Sequence, residues 1–122
     1  MGQVKALVDS NILIDFLQGN EAASDELDKY DDAAISRITW IEVLVGAKSE
    51  TEARLREKLL AQFTVVELDA RVARAAVELR QLLRLKLADS IIFASARLNG
   101  ALLVTRNYRD FSRKEPDVRI PY

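Results

Sequence analysis

The chain contains no cysteine and no histidine. Without cysteine there is no disulfide framework, no thiolate nucleophile and no zinc–sulfur site, a usage that fits a cytoplasmic protein. Without histidine, the commonest general base and the commonest metal ligand are both missing. Any chemistry must therefore rest on carboxylates, hydroxyls, amides and amines. No apolar run approaches the roughly 20 residues that a membrane span requires, so no membrane is expected as a partner. The first residues do not combine a basic region with a long apolar segment, so a signal peptide is not expected either. There is no internal repeat, low-complexity tract or linker. The net charge of −1 exerts no bulk pull toward nucleic acid.

What is present reads as one globular domain. At 122 residues the chain can bury a real core but is too short for two, and 49% hydrophobic with 30% charged residues is ordinary for such a domain. The stretch around which it is organised runs from Lys5 to Leu17. Ala6 to Val8 is apolar enough for a strand buried on both faces. Asp9-Ser10-Asn11 favours a turn and a helix N-cap. Ile12, Leu13, Phe16 and Leu17 then resume at helical spacing. A strand that feeds a helix through a polar turn places that turn at the carboxyl edge of a sheet, where open α/β sheets bind ligands.

Further along, Gly19-Asn20 stops the first helix, and Glu21 to Asp32 is a short acidic helical segment. Ala33 to Ser36 is a strand candidate. Thr39 and Glu42 form a Thr-x-x-Glu capping box, which predicts a helix from Thr39 through the apolar run to Ala47. Ser49 and Glu52 form a second box, opening a helix through Leu60. Thr64 to Leu68 suits a strand, and Asp69 caps a long helix with apolar residues at a period near 3.6. Leu87-Ala88-Asp89 starts another helix, which ends at Asn99-Gly100. Ala101 to Thr105 is a second apolar strand, and Asp117 to Ile120 a last one. Strands alternating with helices predict a mostly parallel sheet with helices on both faces.

Three acids stand alone in apolar surroundings: Asp9, Glu42 between Ile38 and Ala47, and Asp89 between Leu87 and Ala96. A helix apolar nearly all round reads as buried, and a buried carboxylate requires a cation or dense hydrogen bonding. Capping explains each one singly: Asp9 and Asp89 as N-caps, Glu42 as the acid of its box. Caps are usually solvated, however, and capping does not explain why all three are flanked by apolar residues. If they converge, the cluster calls for a cation, and an all-oxygen donor set selects Mg²⁺ or Mn²⁺ over zinc or copper. The turn after the second apolar strand lies at the same sheet edge. It offers Thr105, Asn107 and Asp110 beside the basic residues Arg106, Arg109, Arg113 and Lys114.

These pieces together resemble the PIN-domain nucleases, and within them the small VapC-type toxins of toxin–antitoxin pairs. The resemblance rests on Leu7-Val8-Asp9-Ser10-Asn11 with Asp15-Phe16-Leu17, on Glu42-Val43-Leu44-Val45-Gly46, on Ala88-Asp89-Ser90-Ile91-Ile92-Phe93-Ala94, and on Leu103-Val104-Thr105-Arg106-Asn107 with Asp110-Phe111. They follow the family's order and span nearly the whole chain, as one PIN domain over residues 1–122 with a three-layer α/β/α architecture. The family's acidic positions fall on Asp9, Glu42 and Asp89, with Asp110, or Asn107 as a neutral ligand, in the fourth place. Ser10, Asn11, Thr105 and Asn107 are the supporting polar residues. Two departures stand out: Arg84 to Ala88 is short and lacks the usual Gly or Pro before the third acid, and Asn107 replaces an acid.

The resemblance implies Mg²⁺- or Mn²⁺-dependent hydrolysis of RNA phosphodiesters, with Asp9, Glu42, Asp89 and Asp110 as metal-holding and catalytic residues. Arg106, Arg109, Arg113 and Lys114 are candidate phosphate contacts. It also implies a cognate antitoxin, which we expect along the helices from Thr39 to Leu60 and reaching toward the acids, and a homodimer. The alternatives are a housekeeping RNA-processing PIN nuclease and a catalytically silent PIN scaffold that binds a partner. Two other classes fail on residues. A haloacid-dehalogenase-type phosphatase needs a second Asp where Asn11 stands, and a dinucleotide-binding fold needs a glycine-rich first turn.

Overall fold

The computed structural model describes residues 5–111 and 115–122. Five strands, β1 (Ala6–Val8), β2 (Ala33–Ser36), β3 (Thr64–Val66), β4 (Leu102–Val104) and β5 (Val118–Arg119), form one sheet in the order β3-β2-β1-β4-β5. Every pairing among them is parallel, so the mostly parallel expectation resolves to a wholly parallel described sheet. The helices are α1 (Ser10–Leu17), α2 (Glu21–Leu27), α3 (Arg37–Val45), α4 (Glu50–Leu60), α5 (Ala70–Leu83) and α6 (Leu87–Leu98).

The period-2 alternation of the central strand divides the core into two. Leu7 of β1 and Leu103 of β4 pack with Val72, Ala76, Ile92 and Phe93 of α5 and α6. Ala6, Val8 and Val104 pack with Ile12, Leu13, Ala23, Val43 and Leu60 of α1 to α4. Both faces of β1 are therefore covered, which is why it reads as an unbroken apolar run. The result is the expected three-layer α/β/α architecture.

Helix α6 is the most deeply buried: Ser90 to Ala96 are all buried. Its two buried hydroxyls are satisfied within the helix, Ser90 Oγ donating to Leu87 O at 2.6 Å and Ser95 Oγ to Ile91 O at 2.8 Å. The turns behave as their residues dictate. Gly19 and Gly100 take φ of 84° and 59° after α1 and α6, the left-handed region that costs glycine little.

The structure corrects several expected boundaries. Helix α3 starts at Arg37 rather than Thr39. Ser36, still extended at the end of β2, caps it by accepting the Ile38 N–H at 3.2 Å. The capping box of Thr39 and Glu42 does not form, and Thr39 is instead fully buried with a hydroxyl that has no partner among the described residues. Nor is α3 buried all round, since Ile41 is 45% and Val45 77% exposed. Asp89 sits in the first turn of α6, whose cap position is Lys86; Asp89 is therefore not a cap. The acidic helix ends at Leu27, and the last three strands are each shorter than the sequence suggests. The caps at Asp9, Ser49 and Asp69 form as expected, each side chain accepting a first-turn N–H.

Candidate active site

Strands β1 and β4 are parallel neighbours, so their carboxyl ends stand side by side. From β1 the chain runs into α1 on one face. It enters β4 from α6 on the other. This is the switch point of the sheet, where a crevice opens beyond the strand ends. Asp9 follows β1 there and Thr105 follows β4.

Asp9 is 3% exposed. One carboxylate oxygen, Oδ1, accepts the Ser10 N–H at 2.7 Å and the Ser10 hydroxyl at 3.4 Å. The other accepts the Thr105 hydroxyl at 2.7 Å and the Asn11 amide at 3.4 Å. Its backbone N–H donates to Val104 O at 2.9 Å, tying the turn to β4. Burial raises the Asp9 carboxyl above its ordinary range, against the pull of the Thr105 and Ser10 hydrogen bonds and of the Arg106 charge.

Glu42 joins through the same serine, Ser10 Oγ donating to Glu42 Oε1 at 3.0 Å. Glu42 is exposed rather than buried as its apolar run suggested; partial desolvation of its carboxyl and the Asp9 charge both raise it, opposed by Ser10. Asp89 approaches from the opposite layer. Its carboxyl is pushed up to about 7, first by burial, then by a hydrogen bond with Asp110 and repulsion from Asp9 and Asp110, with Lys86 opposing. Asp110 moves the other way. The Asn107 side-chain amide donates to it at 2.8 Å, and Asp89 and Lys86 add to the lowering. Asp110 is held in place by its neighbour Phe111, 2% exposed, whose ring meets Phe93 of α6 edge-on at 5.6 Å.

All four acids thus interact at one sheet edge: Asp9 with Glu42 through Ser10, Asp9 with Asp89 by charge, and Asp89 with Asp110 by hydrogen bond. Among the described residues, however, no group of three or more acidic side chains could hold a metal ion as it stands. The supporting residues all take part. Asn11 donates to Thr105 Oγ1 at 3.2 Å, and Thr105 Oγ1 accepts the Asn107 N–H at 3.0 Å. Asn107 lies against Asp110 as a donor. The short segment before α6 is closed by Arg84 in the left-handed conformation, φ 56°. It brings the exposed Lys86 ammonium to 3.7 Å from Asp110.

The basic candidates separate. Arg109 is exposed, whereas Arg106 is engaged by Asp15, at 2.7 Å from Nε to Oδ2. Arg113 and Lys114 lie outside the described residues. Asp15 was not among the candidate site residues, although it too is an acid between apolar neighbours, Ile14 and Phe16.

The comparisons with known proteins bear on the family and the fold. The PIN domain family model matches residues 6–115. A protein of a toxin–antitoxin complex from Klebsiella pneumoniae is 42% identical over 96% of this chain and 98% of its own, with a TM-score of 0.91. A chain of VapBC2 from Rickettsia felis, solved with a promoter DNA fragment, is 22% identical over 94% of this chain and 96% of its own, with a TM-score of 0.78. A chain of DNA-bound VapBC from Salmonella typhimurium is 23% identical over 96% of each, with a TM-score of 0.76; these last two share the fold. No curated protein matches the chain. With the family's match spanning nearly the whole fold and the four acids at its carboxyl edge, the chain belongs to the PIN domain family.

Proposed function

We propose that this protein is a metal-dependent endoribonuclease and the toxin of a type II toxin–antitoxin pair. The observation that carries the reading is the convergence of Asp9, Glu42, Asp89 and Asp110, three of them raised by desolvation, with repulsion from a neighbouring acid adding at Glu42 and Asp89. A structural role would neutralise such acids; here the nearest recorded cation is Lys86, 3.7 Å from Asp110. Their donor set is oxygen alone, which suits Mg²⁺ or Mn²⁺, and charge rather than a ready-made cage supports the assignment.

Bound there, the ion would supply charge neutralisation at the phosphate and a more acidic water. Asp9 and Asp89 are the residues to hold it, with Asp110 at the rim beside Asn107. Glu42 stands at the open side and shares the Ser10 hydroxyl with Asp9, so its carboxylate can orient a water and accept its proton. Thr105, Asn11 and Ser10 fix the direction of the Asp9 carboxylate. Arg109 and Lys86, both exposed, flank the acids as contacts for substrate phosphates; the sequence adds Arg113 and Lys114.

The partner would be an antitoxin, as the Klebsiella pneumoniae relative was solved as a toxin–antitoxin complex. Ile41 and Val45, one turn apart on α3, and Leu55 of α4 are apolar and 45%, 77% and 61% exposed, side chains that an amphipathic helix could cover. A basic antitoxin side chain reaching the acids would inhibit by taking the cation's place. A homodimer would cover the second exposed apolar group, Val77 and Leu82 of α5. No helix among the described residues is long and apolar enough to cross a membrane, and we place the protein in the cytoplasm.

The test is sequencing of RNA ends after brief induction of wild type beside Asp9→Asn, together with cleavage of RNA by the pure protein. Cleavage should stop with chelator and return with Mg²⁺ or Mn²⁺; cleavage indifferent to chelator overturns metal catalysis. Light scattering should give a dimer, and Leu55→Glu should weaken antitoxin binding.

A further inference from the structure

Asp15 lies one turn beyond Asn11 on α1, so the two project from the same side of the helix. Both hold the same residue. The Asn11 carbonyl oxygen accepts the Arg106 backbone N–H at 3.1 Å. The Asp15 carboxylate accepts the Arg106 guanidinium bidentately, Nε at 2.7 Å and Nη2 at 3.1 Å. A third donor completes the grip: the Tyr122 hydroxyl reaches Asp15 Oδ2 at 2.7 Å. Asp15 is 9% exposed and the Arg106 side chain 47%, so the clamp joins a buried carboxylate to a guanidinium whose outer side meets solvent.

The clamp leads straight to the reacting carboxylate. With its oxygen committed to Arg106, the Asn11 amide turns its NH₂ toward Asp9 Oδ2 at 3.4 Å and Thr105 Oγ1 at 3.2 Å. Thr105, adjacent to Arg106, donates to that same Oδ2 at 2.7 Å. The aim of Asp9 Oδ2 therefore depends on where residues 105 and 106 sit; Arg119 O holds the Thr105 N–H at 3.0 Å, and Asn11 and Asp15 together hold residue 106, Asp15 by its side chain.

We propose that Asp15, buttressed by Tyr122, is a positioning residue of the carboxylate site. It acts through Arg106, which serves as a clamp between α1 and the turn after β4 and not as a phosphate contact. A phosphate seeking Arg106 would have to displace a bidentate, largely buried carboxylate. The inference rests on the reading of Asp9 as an acting residue of the nuclease.

Four variants of the full chain test it: Asp15→Asn, Arg106→Gln, the double variant, and the milder Tyr122→Phe. Thermal melts confirm folding, and two readouts follow. Amide hydrogen exchange should quicken at Arg106 and Asn107 in Asp15→Asn and Tyr122→Phe, while α5 and α6 keep wild-type protection. On an RNA oligonucleotide, Asp15→Asn and Arg106→Gln should each lower kcat by about 10–100-fold with KM and its salt dependence little changed, and Tyr122→Phe by less. The double variant should be no worse than either single one, because both remove the same link. Arg106→Gln raising KM with a shallower salt dependence and an intact kcat would make Arg106 a phosphate contact and overturn the proposal. So would wild-type exchange at Arg106 in Asp15→Asn. Should the wild type cleave no RNA, the nuclease reading fails while the exchange readout still decides the clamp.

Discussion

Two groups of acids in this protein share a residue type and differ in their treatment. At Glu26, 2% exposed, Arg119 donates bidentately at 2.6 and 2.9 Å, the Tyr30 hydroxyl at 2.7 Å, and Lys29 lies at 3.0 Å. Arg119 above all, with Tyr30 and Lys29, holds the Glu26 carboxyl down at about 2 despite burial. At the edge of β1 and β4, Asp89 is half-buried among other acids and is pushed up to about 7. Every lone pair of the first group has a donor supplied by the fold. The second group has hydroxyls and amides but is short of positive charge. Burial alone does not mark a functional carboxylate; burial with missing counter-charge does.

The sharpest way to break this contrast is to remove one acid from the sheet edge and the main counter-charge from Glu26. Asp9→Asn should abolish RNA cleavage, by about a thousandfold or more if the carboxylate acts directly, yet leave the metal-free protein as stable as wild type or more so, because it removes repulsion. Clear destabilisation of metal-free Asp9→Asn in a thermal melt would return Asp9 to a capping role. At the other group, Arg119→Ala leaves Glu26 buried and short of its main partner. It should cost about 3 kcal/mol in urea unfolding while the isolated site chemistry survives at permissive temperature. A cost near zero would mean that Lys29 and Tyr30 suffice.

The two groups also titrate with opposite signs. Glu26, lowered from 4.5 to about 2, stabilises the fold above pH 4.5 and loses that contribution as pH falls toward 2. Asp89, raised from 3.8 to about 7, is stabilising in its protonated form; its contribution is whole below 3.8 and is lost as pH rises through 7. Melts in chelator across this range should therefore show Asp89→Asn flattening the decline toward neutral pH and Glu26→Gln flattening the decline in acid. Identical pH profiles for both variants and wild type would remove the distinction.

Much of this was legible beforehand because it is local. The strand Ala6–Val8, the Asp9 cap and the helices opened by Ser49 and Asp69 follow from neighbours within a few residues. Asp9, Glu42 and Asp89 announced themselves by lacking nearby cations. The clamps were not legible: Asp15 meets Arg106 at a sequence separation of 91 and Tyr122 at 107, and Glu26 meets Arg119 at 93. Nothing in the residues around Asp15 or Glu26 says that a distant guanidinium will arrive, whereas fold closure delivers it through β5 and the turn after β4. The helix α3 start failed for a different reason. Ser36 reads from the sequence only as the end of a strand, three residues before Thr39, and the extended backbone there makes it the cap.

That decision leaves a small, separate test at Thr39. Its side chain is fully buried on α3, and its hydroxyl has no partner among the described residues. A buried hydroxyl without a partner carries a desolvation cost and returns nothing, while a methyl of the same shape would carry none. If Thr39 were the cap that the sequence suggests, Thr39→Val would lose about 1 kcal/mol with the first turn of the helix. With Ser36 as the cap, Thr39→Val should instead be neutral or stabilising by up to about 1 kcal/mol. The paired variant Ser36→Ala should cost about 1 kcal/mol. Urea midpoints at constant slope measure both changes. A loss at Thr39 that exceeds the loss at Ser36 would show that the threonine hydroxyl has found a partner after all and does in α3 what Ser10 does for Asp9 and Glu42, binding a polar group that the apolar surroundings would otherwise strand.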